Sequence, residues 1–364
     1  MKTIVIKFGT SLLTRGGARL DQAHMINLVG QCAQLHGQGQ RLILVSSGAV
    51  AAGRDYLGNP ELPNSPTLRR MLASVGQTQL MNVWAKLFAI YDLKVGQMLL
   101  TRADIEQREH FLNGRDTLLT MLEQGIIPII NENDAVATAE ARVGDNDNLA
   151  ALVAMLARAD RLILLTDQEG RYDDDPRQNP GARLIREVRE ITPAVKHMAG
   201  GSGTTLGTGG MATKVAAAEL AGRAAVETIV CSGFAEQVLL RWAEGAGPGT
   251  RFLAAKNRLE SRKQWLFGAP RAGRLFIDAG AETALVQGQK SLLAVGVRRI
   301  EGDFPRGAVV EICSVAGEPL ALGLVRQGSE NLAKIKGQQS AALEAILGYP
   351  SSGQVVHRDD LILL

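Results

Sequence analysis

Thr3-Ile4-Val5-Ile6-Lys7-Phe8-Gly9-Thr10-Ser11 is the stretch from which the fold is read. Residues 3–6 are apolar or β-branched and do not alternate with polar residues, which suits a short strand buried on both faces. The run then meets a lysine, a glycine and two hydroxyl residues. The same signature returns at residues 41–45 (RLILV), 126–130 (IIPII) and 162–165 (LILL), each followed by Ser, Asn, Asp or Thr. Helix-length stretches lie between or beside these runs, most clearly at residues 22–38, 68–90, 114–124 and 148–157. Buried runs alternating with helices predict an α/β fold: an αβα sandwich around a mainly parallel central sheet. Such sheets bind ligands beyond the carboxyl ends of their strands, so the polar residues after each run are the candidate site.

The chain has 364 residues, longer than one hydrophobic core usually serves, and two domains are expected. Hydrophobic residues make up 46% and charged residues 21%, ordinary values for a globular protein. A net charge of +3 gives the whole chain no basic character suited to nucleic acid. Cys32, Cys231 and Cys313 are odd in number and form no CxxC pair, so reduced, buried thiols are expected rather than disulfides or a zinc site. The N-terminal apolar run is too short for a signal peptide, and no stretch approaches the ~18 apolar residues of a membrane span, so a cytoplasmic protein without a membrane partner is expected. Near residue 250 the texture changes. Residues 251–272 hold six basic residues against one acidic and include Gly268-Ala269-Pro270, which reads as a linker. Beyond it the runs shorten (274–277, 298–300, 309–313, 321–325) and glycines recur, as in a small β-rich domain. The expected division is a catalytic domain over 1–250, a linker over 251–272 and a C-terminal domain over 273–364.

Six motifs carry polar chemistry. Lys7-Phe8-Gly9-Thr10-Ser11 pairs a point charge with a glycine that lets backbone approach an anion, though an ordinary strand–helix turn reads the same way. Ser46-Ser47-Gly48-Ala49 can present a hydroxyl and bare amides to an anion, but taken alone it reads more readily as a helix N-cap. Asn131-Glu132-Asn133-Asp134 puts four polar residues at the end of a buried strand, more than packing needs, and fits a ligand bearing both an ammonium and a carboxylate. Gly144-Asp145-Asn146-Asp147-Asn148 exceeds what capping the helix expected from Leu149 requires. Thr166-Asp167-Gln168-Glu169-Gly170, with Tyr172 and Asp173-Asp174-Asp175-Pro176 beyond, suits the frame of a nucleotide base. The most specific is Gly207-Thr208-Gly209-Gly210-Met211-Ala212-Thr213-Lys214, a glycine loop running into a helix with a first-turn lysine, which makes an anion cradle. It lacks the GxxxxGK[ST] register of a Walker A loop, and no GxGxxG follows the first strand.

None of the five histidines falls in these motifs, which disfavours general-base chemistry by histidine. Lys7 and Lys214 instead offer fixed charge for phosphoryl transfer, which needs mainly positioning and neutralisation. Magnesium takes few protein ligands in such sites, so no dedicated metal cage is expected. A carboxylate acceptor is already ionised at neutral pH and needs no base, which suits the inventory, although Asp134, Asp145 and Asp147 remain available for that role.

The segments KFGTS (7–11), SSGAVAAG (46–53), GQMLLTRAD (96–104), INENDAVAT (130–138), GDNDNLAA (144–151), LLTDQEGRYDDDP (164–176) and GTGGMATK (207–214) resemble, in this order and over nearly the full length, the bacterial glutamate 5-kinases of the amino acid kinase superfamily. The resemblance implies ATP as co-substrate with Mg²⁺, L-glutamate as acceptor, and a place at the start of proline biosynthesis. It implies an ATP site of Lys7, Thr166, Asp167, Thr208, Gly209, Gly210, Met211, Ala212, Thr213 and Lys214. Ser47, Asp134 and Asn146 match the glutamate positions, and Asp147 matches the residue that organises the two catalytic lysines Lys7 and Lys214. Proline as a feedback inhibitor and a homo-oligomeric assembly are expected on the same ground. Aspartate or carbamate as the acceptor is the same-chemistry alternative. From about Gly273 to Pro350 the chain resembles a PUA domain, a small β-barrel. With nine Lys/Arg against ten Asp/Glu over 273–364, that region lacks the basic character of an RNA-binding module, and RNA is not the expected partner.

Overall fold

A computed structural model of the chain describes all residues except 1, 138–144, 177, 200–209, 255–270, 289 and 350, with the side chains of 108 and 197–199 also outside the description. The chain gathers into two compact units, Met1–Ile105 with Gly114–Lys256, and Glu106–Asn113 with Asn257–Leu364. In chain order the first elements are β1 (Thr3–Phe8), α1 (Thr10–Thr14), α2 (Gln22–Gly37), β2 (Arg41–Ser46), α3 (Ala49–Tyr56) and α4 (Pro66–Ala89). There follow β3 (Val95–Leu100), α5 (Arg102–Glu106), α6 (Arg108–Glu123), β4 (Ile127–Glu132), α7 (Asn146–Leu156) and β5 (Arg161–Thr166). Then come β6 (Glu187–Val188), α8 (Pro193–Ala199), α9 (Met211–Arg223), β7 (Glu227–Ser232), α10 (Val238–Ala243) and β8 (Thr250–Phe252). The eight strands form one sheet in the order β3-β4-β2-β1-β5-β7-β8-β6. Every pairing is parallel except β7 with β8.

The four apolar runs therefore become β1, β2, β4 and β5, the centre of a parallel sheet. Each strand is longer than its run. Lys7 lies within β1, opposite Val45 and Leu164, rather than after it. Asn131 and Glu132 likewise end β4 in register with Leu99 and Leu100. A lysine with an apolar stem and a neutralised head is compatible with a buried ladder, which an apolar-run reading does not see. Side chains alternate along β1. Ile4, Ile6 and Phe8 enter the core formed with α2, α4 and α10, where the Phe8 and Trp84 ring centroids are 5.1 Å apart. Lys7 faces the other side, toward α7 and α9. The helix expected from Leu149 starts three residues earlier, because Asp145 caps it by accepting from the backbone of Asp147 and Asn148, both at 2.9 Å. The expected boundary at 250 falls inside β8, whose Arg251 pairs in register with Glu187 and Ile229.

Helices α3 and α4 touch through glycine backbone. A Cβ on Gly76 would lie 1.8 Å from Ala49 O, and one on Gly53 2.0 Å from Leu72 O. Gly48, at φ 102°, turns the chain from β2 into α3 in a conformation that favours glycine. Alanine normally stabilises a helix over glycine by ~1 kcal/mol. At Gly76 the sign reverses. Gly76→Ala forces the helices apart and lowers stability by about 1–3 kcal/mol, read as a lower urea midpoint; a raised midpoint would contradict the close approach.

The second unit contains β9 (Arg271–Ile277), α11 (Ala279–Val286), β10 (Leu292–Leu293), β11 (Val297–Glu301), β12 (Val309–Ser314), β13 (Pro319–Leu324), α12 (Ser329–Ile335), α13 (Leu343–Leu347), β14 (Gln354–Val356) and β15 (Leu361–Leu363). They form a five-stranded sheet, β11-β9-β12-β13-β15, and a β10-β14 pair over a separate apolar core that includes Leu275, Val310 and Val356. The three cysteines are free and buried, and burial pushes the Cys32 thiol up to about 12. Among the described residues no helix is long and apolar enough to cross a membrane.

Candidate active site

The carboxyl ends of β1, β2, β4 and β5 open on one cleft of about 820 Å³. Its lining includes Lys7, Gly9, Ser47, Asn131, Asp134, Asp145, Asn146, Thr166, Asp167 and Lys214, drawn from five of the six motifs and from the described end of the glycine loop.

At its base two lysines share one carboxylate. Asp147 Oδ1 is 2.7 Å from Lys7 Nζ, and Oδ2 is 3.2 Å from Lys214 Nζ. Exposure falls to 6% for Lys7, 4% for Lys214 and 0% for Asp147, so the lysines face the cleft and the aspartate stands behind them. Thr213 Oγ1 completes the contact at 2.8 Å from Asp147 Oδ2 and lies 2.7 Å from Gly210 O. Burial pushes the Asp147 carboxyl up, but the Lys7 and Lys214 ammonium groups and hydrogen bonds from Lys7 and Thr213 outweigh it and hold the carboxyl below its ordinary range. Burial pulls the Lys7 ammonium down, against the attraction of Asp147 and with the repulsion of Lys214. One carboxylate between two ammonium groups leaves a net positive charge at the cleft floor. Gly9 lies against this floor, where a Cβ would sit 3.6 Å from Lys7 Nζ, at ordinary contact distance.

The second wall is a network of neutral groups. Asn146 Nδ2 donates to Ser47 Oγ at 2.8 Å and to Asn131 Oδ1 at 3.0 Å. Asn131 Nδ2 donates to Gln77 Oε1 at 2.9 Å. Asp134 follows in the turn after β4 and borders the same space. Burial raises the Asp145 carboxyl, against the hydrogen bonds it accepts from Asn148 and Asp147. On the far side Thr166 Oγ1 donates to Asp167 Oδ1 at 3.0 Å.

The sequence-expected residues Lys7, Ser47, Asp134, Asn146, Thr166, Asp167 and Lys214 thus meet in one cleft, with Asp147 beneath it. Thr208 and Gly209 lie outside the described residues. Gly210 caps α9, Met211 and Ala212 begin its first turn, and Thr213 points at Asp147. Tyr172 is not on the cleft wall; its hydroxyl donates to Glu169 at 2.8 Å. Arg54 and Arg69 also line the cleft, and sequence reading missed them because they sit inside helices α3 and α4 rather than at strand ends. Among the described residues no group of three or more His, Cys, Asp or Glu is arranged to hold a metal ion.

The Amino acid kinase family pattern matches residues 2–232, and the PUA domain pattern matches residues 273–347. The chain is 55% identical over 364 residues to glutamate 5-kinase of Haemophilus influenzae (strain 86-028NP), covering 100% of this chain and 99% of the relative. It belongs to the glutamate 5-kinase family. Glutamate 5-kinase of Pasteurella multocida (strain Pm70) is 54% identical over 363 residues, at 100% and 99% coverage. Among solved structures, carbamate kinase from Giardia lamblia bound to AMP-PNP superposes with a TM-score of 0.51 at 18% identity, covering 70% of this chain and 99% of that one. Isopentenyl phosphate kinase gives a TM-score of 0.50 at 19% identity, covering 69% and 99%. These two likenesses show the amino acid kinase fold. The glutamate 5-kinase relatives span both the kinase region and the PUA domain, so the family is matched as a whole chain.

Proposed function

We propose that this chain transfers the γ-phosphoryl group of ATP to the side-chain carboxylate of L-glutamate, giving L-glutamyl 5-phosphate and ADP, the first step of proline biosynthesis. The observation that carries the reading is the Lys7–Asp147–Lys214 cluster at the floor of a cleft whose wall is the Ser47–Asn146–Asn131 network beside Asp134. A carboxylate oxygen attacks the γ-phosphorus as the bond to the bridging oxygen of ADP breaks. Lys7 and Lys214 neutralise charge on the transferring group, and Asp147 holds both ammonium groups in place. The acceptor is ionised at neutral pH, so no proton has to be removed. Asp134 suits the substrate ammonium, and Ser47 and Asn146 suit its polar groups. Thr166, Asp167 and the stretch 208–214 are assigned to ATP. Mg²⁺ neutralises phosphate charge when bound. Mg²⁺ usually keeps few protein ligands, so phosphate oxygens would be its main ligands.

The reading extends to a cytoplasmic homo-oligomer with a catalytic domain ending after β8 and a PUA-like domain from β9. It also extends to proline as a competing ligand, since proline shares the α-carboxylate and cationic nitrogen of glutamate. Trapping acyl phosphate with hydroxylamine tests the core of it. Hydroxamate is expected with ATP and glutamate, and not with aspartate, carbamate or N-acetylglutamate; product with aspartate and none with glutamate would sink it. In the same assay proline is expected to raise the apparent KM for glutamate, and an unchanged KM removes that part alone.

A further inference from the structure

The polarity of the cleft wall is set by a backbone group whose hydrogen cannot be reassigned. Glu132 N donates to Asn131 Oδ1 at 2.9 Å, so that end of the Asn131 amide is the oxygen. Asn146 approaches the same oxygen at 3.0 Å and must present its Nδ2. That nitrogen also donates to Ser47 Oγ at 2.8 Å. Two consequences follow. Ser47 Oγ accepts from Asn146, so its own hydrogen is left for an acceptor in the cleft. Asn146 Oδ1, at the other end of its amide, accepts from no described residue. The wall therefore offers a hydroxyl donor beside a carbonyl acceptor, which matches a carboxylate oxygen beside an ammonium group.

The remaining end of this relay is Asn131 Nδ2. Asn131 is 4% exposed, and its Nδ2 donates to Gln77 Oε1 at 2.9 Å. A buried amide donor without a partner costs enough to drive a side chain into another rotamer. Gln77 lies on α4, half-buried and not among the residues lining the cleft. We propose that Gln77 is a positioning residue for glutamate: it holds the Asn131 amide, which orients Asn146, which in turn leaves Ser47 as a hydroxyl donor to the substrate. The proposal rests on reading the cleft as the glutamate site. Gln77 touches no substrate, and its effect is confined to the wall that Asn131 supports. The lysine cluster is held separately, through Asp147.

Gln77→Met removes the acceptor at similar volume and with good helix propensity. The expected result is a KM for glutamate raised about tenfold, the size of one unsatisfied buried group, with kcat and the KM for ATP within about twofold of the parent. Gln77→Glu keeps an oxygen acceptor at the same place and is expected to keep the KM for glutamate within about threefold. Simple destabilisation behaves differently, since it removes active enzyme and lowers apparent kcat while leaving KM alone. A KM for glutamate within twofold of the parent in Gln77→Met overturns the proposal. So does an equal rise in the KM for ATP, or a Gln77→Glu variant as impaired as Gln77→Met. A parent enzyme that forms no hydroxamate with glutamate overturns the functional reading and this inference with it. An active parent with an unmoved Gln77→Met overturns only the positioning role.

Discussion

Replacing Lys214 with methionine is expected to lower kcat about a thousandfold while the protein stays folded. Removing a single preorganised charge or donor from a developing anionic transition state costs about 10²–10³ in rate, and Lys214 is at the favourable end of that range. It is buried in the first turn of α9, where the helix N-terminus adds positive potential, and its ammonium is held 3.2 Å from Asp147. Methionine keeps the length and packing of the stem, and the buried charge it removes was costly to bury, so the melting temperature should not fall. The KM for glutamate should change little, because the Ser47–Asn146–Asn131 wall does not depend on Lys214. Lys214→Arg is expected to be nearly as inactive, since a planar guanidinium does not occupy the space of an ammonium at a site this enclosed. Steady-state kinetics with melting curves on each variant decide the matter. A Lys214→Met enzyme within tenfold of the parent kcat would remove Lys214 from the transfer step.

The central sheet was legible because strands buried on both faces must be continuously apolar, and β1, β2, β4 and β5 are. The candidate cleft was legible for a related reason: Ser47, Asn131, Asp134 and Thr166 are polar residues where those runs stop. Lys7 shows the limit of that reading. Its charge marks it as a strand end in sequence, yet it is inside the ladder, because a carboxylate 147 residues into the chain neutralises it. Arg54, Arg69 and Gln77 could not be found the same way. They lie within helices whose sequence shows an ordinary polar face, and where that face lies is fixed by tertiary packing: the glycine contact of α3 with α4 and the burial of Leu80, Trp84 and Phe88 in the core. The short β6 and β8 carry too few residues for periodicity to speak, and β8 joins the sheet through tertiary pairing with β7.

Asp147→Asn is the substitution expected to damage both stability and turnover. It keeps the volume and removes the carboxylate that touches both buried ammonium groups. Breaking a buried ion pair from one side costs about 3–5 kcal/mol, because the partner is left charged and dry. For a unit of this size that corresponds to about 10 °C in melting temperature. Turnover should fall with it, since neither lysine is then held at the cleft floor. The pH dependence separates this from generic damage. In the parent, the Asp147 carboxyl is held below its ordinary value. Its contribution is complete above about pH 4, where the unfolded chain's carboxylate is ionised, and is lost as pH falls through the lower folded value. The variant lacks that acid-side loss. Lys7 behaves oppositely. Its folded pKa is lowered, so between that lowered value and about 10.4 the unfolded chain binds more protons, and stability rises with pH. Without Asp147 the larger attraction that opposes burial is gone and only the smaller pull of Asp145 remains, so the Lys7 value drops further and the rising limb begins at lower pH. Melting temperatures from pH 3 to pH 10 are therefore expected to show a variant that is less stable at neutrality, flatter in acid, and rising toward alkali from a lower pH than the parent. A variant whose curve is merely the parent's shifted down at every pH would mean that Asp147 does not hold the two lysines.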